Sequence, residues 1–483
     1  MSNNKDVEPV SNRSEPENSG EPESRGKISF SFWVIVSAFI ASTVLGLGTS
    51  AAGFDTPIAW TAAITLFTAI LWVTEALPIP ATSLIPFFAF PLTGVLSHSE
   101  AASSLGSHVI ILLMGAFMLS KGIEKSNVHQ RFALYMIRIT GGQSAKRLVF
   151  AFMITAAALS MWISNTATTL MLLPIALAVL QPINNPRVAI AILLGIAYAA
   201  SLGGVGTPIG TPPNIIFMSV YQEHTGTEIN FIEWMKFGVP IVLLAIPVMA
   251  LWLTRGLGEL NDFHLPEVGE WRSQERRVIG VFACVALAWI TRPFWTEALQ
   301  LNSVGDSTIA LAGVVAMFMV PTGSGVKNDR LLDWQTANNI PWGMLLLFAG
   351  GICIAKAFTA SGLSKEIGNF LSVLNEFPLL LLILSICIFV TFLTEITSNT
   401  ATATLLMPIL AVTGSSMGID PALLMIPAAI SASCAFMLPV ATAPNAIVYG
   451  TDKFKISDMA KEGAVLNILV ACVVATVSYL SLG

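Results

Sequence analysis

Long apolar stretches separated by short polar breaks run from residue 28 to the end of the chain. A helix needs about 20 mostly apolar residues to cross roughly 30 Å of hydrocarbon. Apolar runs long enough to cross fall at 28–49, 57–75, 79–96, 108–122, 187–222, 235–255, 277–294, 306–320, 341–357, 420–450 and 458–482, and read as single spans they predict about 11 transmembrane helices. Two more stretches, 147–182 and 377–413, are too long for one helix and too short for two full spans. Each carries Ser-Asn-Thr near its middle, which predicts a re-entrant helical hairpin with a polar tip. A hairpin that enters and leaves on one side adds no crossing. The fold class is therefore an all-α polytopic membrane protein.

The polar interruptions recur. Ser164, Asn165 and Thr166 map onto Ser398, Asn399 and Thr400, with Ser160 on Thr394 and Pro174 on Pro408. Upstream, "LMGAFMLSKGIEKS" from Leu113 pairs with "FAGGICIAKAFTAS" from Phe348, matching Gly115 to Gly350 and Lys121 to Lys356. Downstream, "PIGTPPNII" from Pro208 pairs with "PVATAPNAI" from Pro439, matching Thr211 to Thr442, Pro213 to Pro444 and Asn214 to Asn445. Each half then holds an odd number of spans plus a hairpin, so the second copy sits upside down relative to the first. Two inverted-topology repeats are a signature of secondary transporters, with the site at midplane where the copies meet.

Unpaired hydroxyls and amides are costly in hydrocarbon, so the repeated triplets need a reward. Ser, Asn and Thr are favoured helix N-caps, so each triplet starts the second helix of its hairpin beside the carbonyl end of the first. Such a tip offers amides and a helix N-terminus to an anion, and carbonyls with hydroxyls to a small hard cation such as sodium. The Thr-Pro-Pro-Asn and Thr-Ala-Pro-Asn stretches break their helices, because proline removes a donor. A single Ser-Asn-Thr in a membrane helix reads as a cap or an interhelical hydrogen bond. Two copies, each followed by a proline break, read as a site.

Composition agrees with this picture and narrows the chemistry. With 54% hydrophobic and 11% charged residues and a mean hydropathy of +0.74, the chain cannot hide its apolar surface in a soluble core. Residues 1–27, "MSNNKDVEPVSNRSEPENSGEPESRGK", are polar and acidic, which predicts a disordered cytoplasmic tail. Every Lys and Arg except Lys236, Arg292, Lys356 and Lys365 falls on one side of the predicted topology, which places the N-terminus inside and the C-terminus outside. Cys284, Cys353, Cys387, Cys434 and Cys472 all lie in apolar runs and lack metal-site spacing, so they read as small hydrophobes. No Arg or Lys lies at either Ser-Asn-Thr tip or either proline break. A multiply charged anion held there needs compensation from helix dipoles and co-bound cations, which favours cation coupling. Two equivalent tips suit a ligand with an anionic group at each end, such as a C4 dicarboxylate.

Glu395 has two readings of equal standing: a carboxylate for a proton or sodium, or a hydrogen-bonded structural acid, since the first copy has Met161 there. Lys121 and Lys356 lie near span ends, where snorkelling is the default. His108 and His129 are single and near the interfaces, and take no role.

At these motifs the chain resembles the divalent-anion/sodium symporter family, whose members carry dicarboxylates, citrate or sulfate. The resemblance runs from about residue 28 to the C-terminus, and "ASCAFMLPVATAPNAIV" from Ala432 is similar to the family's signature. It implies a homodimer in the plasma (inner) membrane, working as an elevator. Scaffold segments are then 28–125 and 257–360, interfacial helices 126–142 and 361–375, and transport segments 143–256 and 376–483. The resemblance further implies one sodium site at Ser160, Ser164, Asn165 and the Gly210 carbonyl, and a second at Thr394, Ser398, Asn399 and the Ala441 carbonyl. Substrate carboxylates would be held by Asn165, Thr166, Thr211, Asn399, Thr400 and Thr442. The chain departs at Ala443, where relatives commonly have proline, and at Thr211, where several have serine.

These readings converge on sodium-coupled symport of C4 dicarboxylates (succinate, fumarate, malate), with membrane lipid as surroundings and without an organic cofactor or nucleic-acid partner. Exchange of one dicarboxylate for another, citrate or sulfate transport, and a proton-linked anion carrier are the alternatives. An enzyme is not indicated, because neither HExxH nor Gly-x-Gly-Asp occurs. A sensor would need an output domain, and the longest polar segments, the tail and the loops near 256–275 and 321–340, are too short for one.

Overall fold

Apolar residues without regular alternation, in runs of fifteen or more, can satisfy their backbone in a bilayer only as helices. The chain folds accordingly. The computed structural model describes residues 30–140, 144–183, 185–258, 269–301, 303–326, 328–371 and 377–482, and these are helical with short connections. The tail expected at 1–27 lies outside the described residues, as does the end of the second interfacial segment, beyond residue 371.

Eight described helices are long and apolar enough to cross a membrane: Ser31–Ala51, Thr56–Thr74, His98–Ser126, Pro186–Gly206, Phe231–Leu253, Ser273–Ala298, Trp342–Ser361 and Ile456–Leu482. The other expected spans are shorter. Asp306–Met319 is a helix of 14 residues. The run at 79–96 is not one helix: it divides into Ile79–Thr82 and Ile85–Thr93, where Pro78, Pro80 and Pro86 remove the donors a continuous ladder needs. The runs at 187–222 and 420–450 are each broken near the middle. Pro186–Gly203 gives way to Pro212–Thr225, and Ala422–Ala432 to Ala443–Tyr449.

The stretches at 147–182 and 377–413 form helix pairs. Ala145–Ser160 is followed by Asn165–Leu180, and Leu379–Leu393 by Asn399–Ser416, with the Ser-Asn-Thr triplets at the junctions. The first pair is wedged tightly against the broken helix beside it. A Cβ on Gly203 would collide with the Ala157 backbone, so only glycine permits this approach. Trp162 at the first junction stacks on Phe231, with centroids 6.0 Å apart, and Phe231 stacks on Trp289 at 4.8 Å. Phe282 meets Trp162 edge-on at 5.4 Å. This aromatic column sets the first junction against Ser273–Ala298.

The two segments expected to lie in the membrane plane are helices Val128–Thr140 and Leu363–Leu371. The first is pinned at its start. Arg131, 8% exposed, donates to the Gly269 and Glu270 carbonyls, pairs with Glu275 at 3.1 Å and lies over the Trp271 ring at 4.7 Å.

Candidate functional site

Both helix junctions and both helix breaks open onto one cavity of about 930 Å³. Ser164, Asn165 and Thr166 line it from the first junction, and Ser398, Asn399 and Thr400 from the second. Gly210 and Thr211 come from one break, and Ala441 and Thr442 from the other. The cavity extends to the end of the molecule where Glu75, Lys121, Glu124 and Asn339 stand.

Helix starts face this space. Ser164 caps Asn165–Leu180 and accepts from Ala167 N at 3.2 Å; Ser398 and Thr211 occupy the same position before Asn399–Ser416 and Pro212–Thr225. Thr442 caps the short helix Ala443–Tyr449, accepting from Asn445 N at 3.2 Å. Unpaired amides at helix starts carry partial positive charge, so the tips and breaks favour an anion, while the charged side chains among the described lining residues are Lys121, Glu75 and Glu124.

Behind the junctions, oxygen atoms gather. Ser160, fully buried, places Oγ 2.5 Å from the end of the Asn165 carboxamide. That same carboxamide position is 3.2 Å from both the Ala200 and Gly210 carbonyls. With its nitrogen turned inward, the two amide hydrogens of Asn165 face three acceptors, Ser160 Oγ and the Ala200 and Gly210 carbonyls. With Oδ1 turned inward, it stands beside the Ser160 hydroxyl and the Ala200 and Gly210 carbonyls, oxygen donors of the kind a hard cation takes. The second junction repeats the arrangement, for Thr394 Oγ1 lies 2.7 Å from Asn399 Oδ1 and 3.0 Å from the Ala432 carbonyl, with one hydrogen to give to either. Thus the structure gathers the predicted site residues on one cavity, with Ser160 and Thr394 as a buried layer behind it. The Ala200 and Ala432 carbonyls were not foreseen, because a carbonyl has no letter of its own in the sequence.

The breaks are stitched by a matched pair of asparagines. Asn214 Nδ2 donates to Gly204 O at 3.0 Å and Thr207 O at 2.8 Å, and Asn445 Nδ2 donates to Ala435 O and Leu438 O, both at 3.0 Å. The spacing of the Pro-Asn pairs matches these residues between the halves but assigns them no task. They satisfy carbonyls that the interrupted ladders leave open. In the first break a Cβ on Gly204 would stand 2.8 Å from both Asn165 Oδ1 and Gly210 O, and one on Gly210 would collide with the Gly204 backbone. Gly210→Ala is therefore expected to cost about 1–3 kcal/mol by overpacking and to depress transport. Gly280→Ala, with open space around its Cβ, should be neutral; thermal melting and uptake of the two variants check this.

Glu395 is not in the cavity. It is 3% exposed, and its carboxylate accepts from Phe436 N (2.7 Å), Met437 N (2.9 Å), Leu438 N (3.0 Å) and Asn467 Nδ2 (2.8 Å). Of its two readings the structure supports the structural acid. Where Glu395 holds the second break, the first break uses Thr207 Oγ1, which donates to the Met161 carbonyl.

The model of the citrate transporter family (CitMHS) matches residues 69–424. The sodium-dependent dicarboxylate transporter SdcS of Staphylococcus saprophyticus is 40% identical over 440 residues, covering 86% of this chain and 85% of that protein. SdcS of Staphylococcus aureus strain USA300 is equally similar, over 86% of this chain and 84% of its own. The chain belongs to the divalent-anion/sodium symporter family. This family member is accordingly a multi-pass membrane transporter and not an enzyme. The crystal structure of the Alcanivorax borkumensis YdaH transporter, described as having an unusual topology, shares the fold. It has a TM-score of 0.57 and 13% identity, and covers 93% of this chain and 97% of that one.

Proposed function

We propose that the chain is a sodium-coupled symporter of C4 dicarboxylates (succinate, fumarate and malate). The observation that carries this reading is the pairing of Asn165 and Asn399: each turns a helix start toward the shared cavity and backs onto buried hydroxyl and carbonyl oxygens. Sodium held at Ser160, Ser164, Asn165 and Gly210, and at Thr394, Ser398, Asn399 and Ala441, places positive charge directly behind each tip. The substrate carboxylates then bind between tips at Asn165, Thr166, Thr211, Asn399, Thr400 and Thr442. Without sodium the tips and breaks offer a dianion only partial charges, so binding of the two species is mutually dependent. The names of the SdcS relatives, sodium-dependent dicarboxylate transporters, support the same pair of cargoes.

The two halves act as inverted repeats, with the N-terminus cytoplasmic, the C-terminus outside and the helix pairs as re-entrant hairpins. The cavity then faces the cytoplasm. Movement follows the division into scaffold (28–125, 257–360) and transport segments (143–256, 376–483), joined by the in-plane helices, in a homodimer working as an elevator. The anchoring of Arg131 to Glu270 and Glu275 supports this, because it fixes the start of the first in-plane helix to a scaffold segment.

Radiolabelled succinate uptake into proteoliposomes tests the assignment. An inward sodium gradient should drive uptake without internal substrate, and potassium should not. Uptake indifferent to sodium but dependent on internal succinate would replace symport with exchange, and displacement by citrate would widen the substrate class.

A further inference from the structure

The two lysines that the repeat pairs stand in different electrostatic company. Lys121 lies in the last two turns of His108–Ser126 and Lys356 in the last two turns of Trp342–Ser361. Lys121 lines the mouth of the cavity, with Nζ 2.6 Å from Glu124 Oε2 on its own helix. Its side chain is 31% exposed, so the ion pair is open to the cavity. Lys356 sits elsewhere. Its Nζ donates to Ser103 Oγ at 2.7 Å and stands 4.0 Å from Glu223 Oε2.

Glu223 belongs to the last turn of Pro212–Thr225, a helix whose first residue lines the cavity. Glu223 is eleven residues beyond Pro212, about 16 Å along the helix, so Lys356 lies across the site from the mouth in the proposed topology. The Lys356–Glu223 pair also joins two segments of different kinds in the proposed elevator, since Glu223 is on a transport segment and Lys356 on a scaffold segment. A slide of one against the other separates the pair and uncovers the lysine.

We propose that Lys121 and Lys356 are a repeat-related pair of access-path cations, each drawing the dicarboxylate through the mouth on its own face of the membrane. Glu124 and Glu223 neutralise them when substrate is absent. In the conformation seen, Lys121 serves the open cytoplasmic mouth, while Lys356 helps hold the outer face shut. The tips and breaks lack a fixed positive charge, so each lysine offers an arriving carboxylate a full charge at contact range, released by its glutamate partner as the anion passes. Exchanging one carboxylate partner for another keeps the lysine paired throughout, and the exchange is an ion-pair contact that salt weakens. Both lysines stand outside the binding residues, so their loss acts on KM more than on kcat.

This inference rests on the transport function proposed above, and oriented proteoliposomes test the two separately. Lys356→Met should raise the KM for external succinate several-fold and flatten its dependence on ionic strength, while leaving the KM for efflux at the wild-type value. Lys121→Met should do the reverse, and Glu124→Gln should lower the efflux KM by freeing Lys121. Lys121→Arg and Lys356→Arg should keep wild-type constants, which separates charge from packing. Wild-type KM values on both faces in both Met variants overturn the proposal, as do Arg variants that behave like Met. Failure of the wild-type protein to take up succinate on a sodium gradient would instead overturn the function itself, and this pairing with it.

Discussion

Asn165→Ala and Asn399→Ala should each reduce sodium-driven succinate uptake by about a hundredfold or more, with the protein still inserting and purifying as the wild type does. Each asparagine has a double task in the proposed site. Its carboxamide closes the ring of oxygens that holds sodium, and its place at a helix start offers an amide to a substrate carboxylate. A hydrogen bond to a charged group contributes about 1.5–3 kcal/mol, and every 1.4 kcal/mol is tenfold in affinity. Losing a cation ligand together with the dependent anion contact reaches the hundredfold range. The effect should show as coupled loss, so raising sodium tenfold in Asn165→Ala should recover part of the uptake. Full uptake by both variants at ordinary sodium would remove both tips from the site. Because Ser160 and Thr394 contact these carboxamides from behind, Ser160→Ala and Thr394→Ala should act in the same direction with smaller losses.

Much of this site was legible before any coordinates, for a particular reason. A polar residue in an apolar run is a costly exception, and the same exception at Ser164–Thr166 and Ser398–Thr400 identifies a shared task. The proline breaks at 212–213 and 444 were legible likewise, since proline has a fixed backbone consequence. Three things were not. The run at 79–96 looked like one continuous helix on hydropathy, but it is divided into two short ones. The carbonyls of Ala200 and Ala432 become ligand candidates only when the chain bends past them, and alanine carries no sign of that. Lys121 belongs to a separate helix, so the charge-free reading of the tips omitted a cation that the packing brings to the cavity wall. The first of these was written locally in Pro78, Pro80 and Pro86 and outweighed by hydropathy, while the carbonyls and Lys121 depend on what packs against them.

Glu395→Ala should be the most destabilising of the single substitutions considered. Four donors converge on this carboxylate, three of them amides of the interrupted backbone at 436–438, and Phe436 is fully buried. Stranding a buried donor costs about 1–3 kcal/mol each, so several kcal/mol are lost even if water reaches one of them. A net stability of about 5–15 kcal/mol leaves little after that, and thermal melting in detergent should show a fall of ten degrees or more. Glu395→Gln separates structure from chemistry. Its remaining carbonyl oxygen can accept from Phe436, Met437 and Asn467 as Oε1 does, but its amide nitrogen then faces Leu438 N, donor against donor. A partial fall in melting temperature should follow, with sodium dependence retained and no new pH dependence of uptake. Loss of coupling in a well-folded Gln variant would make Glu395 a carrier of charge through the cycle. Retained coupling with lowered stability leaves it as the acid that replaces, for the second break, what Thr207 and the Met161 carbonyl do for the first.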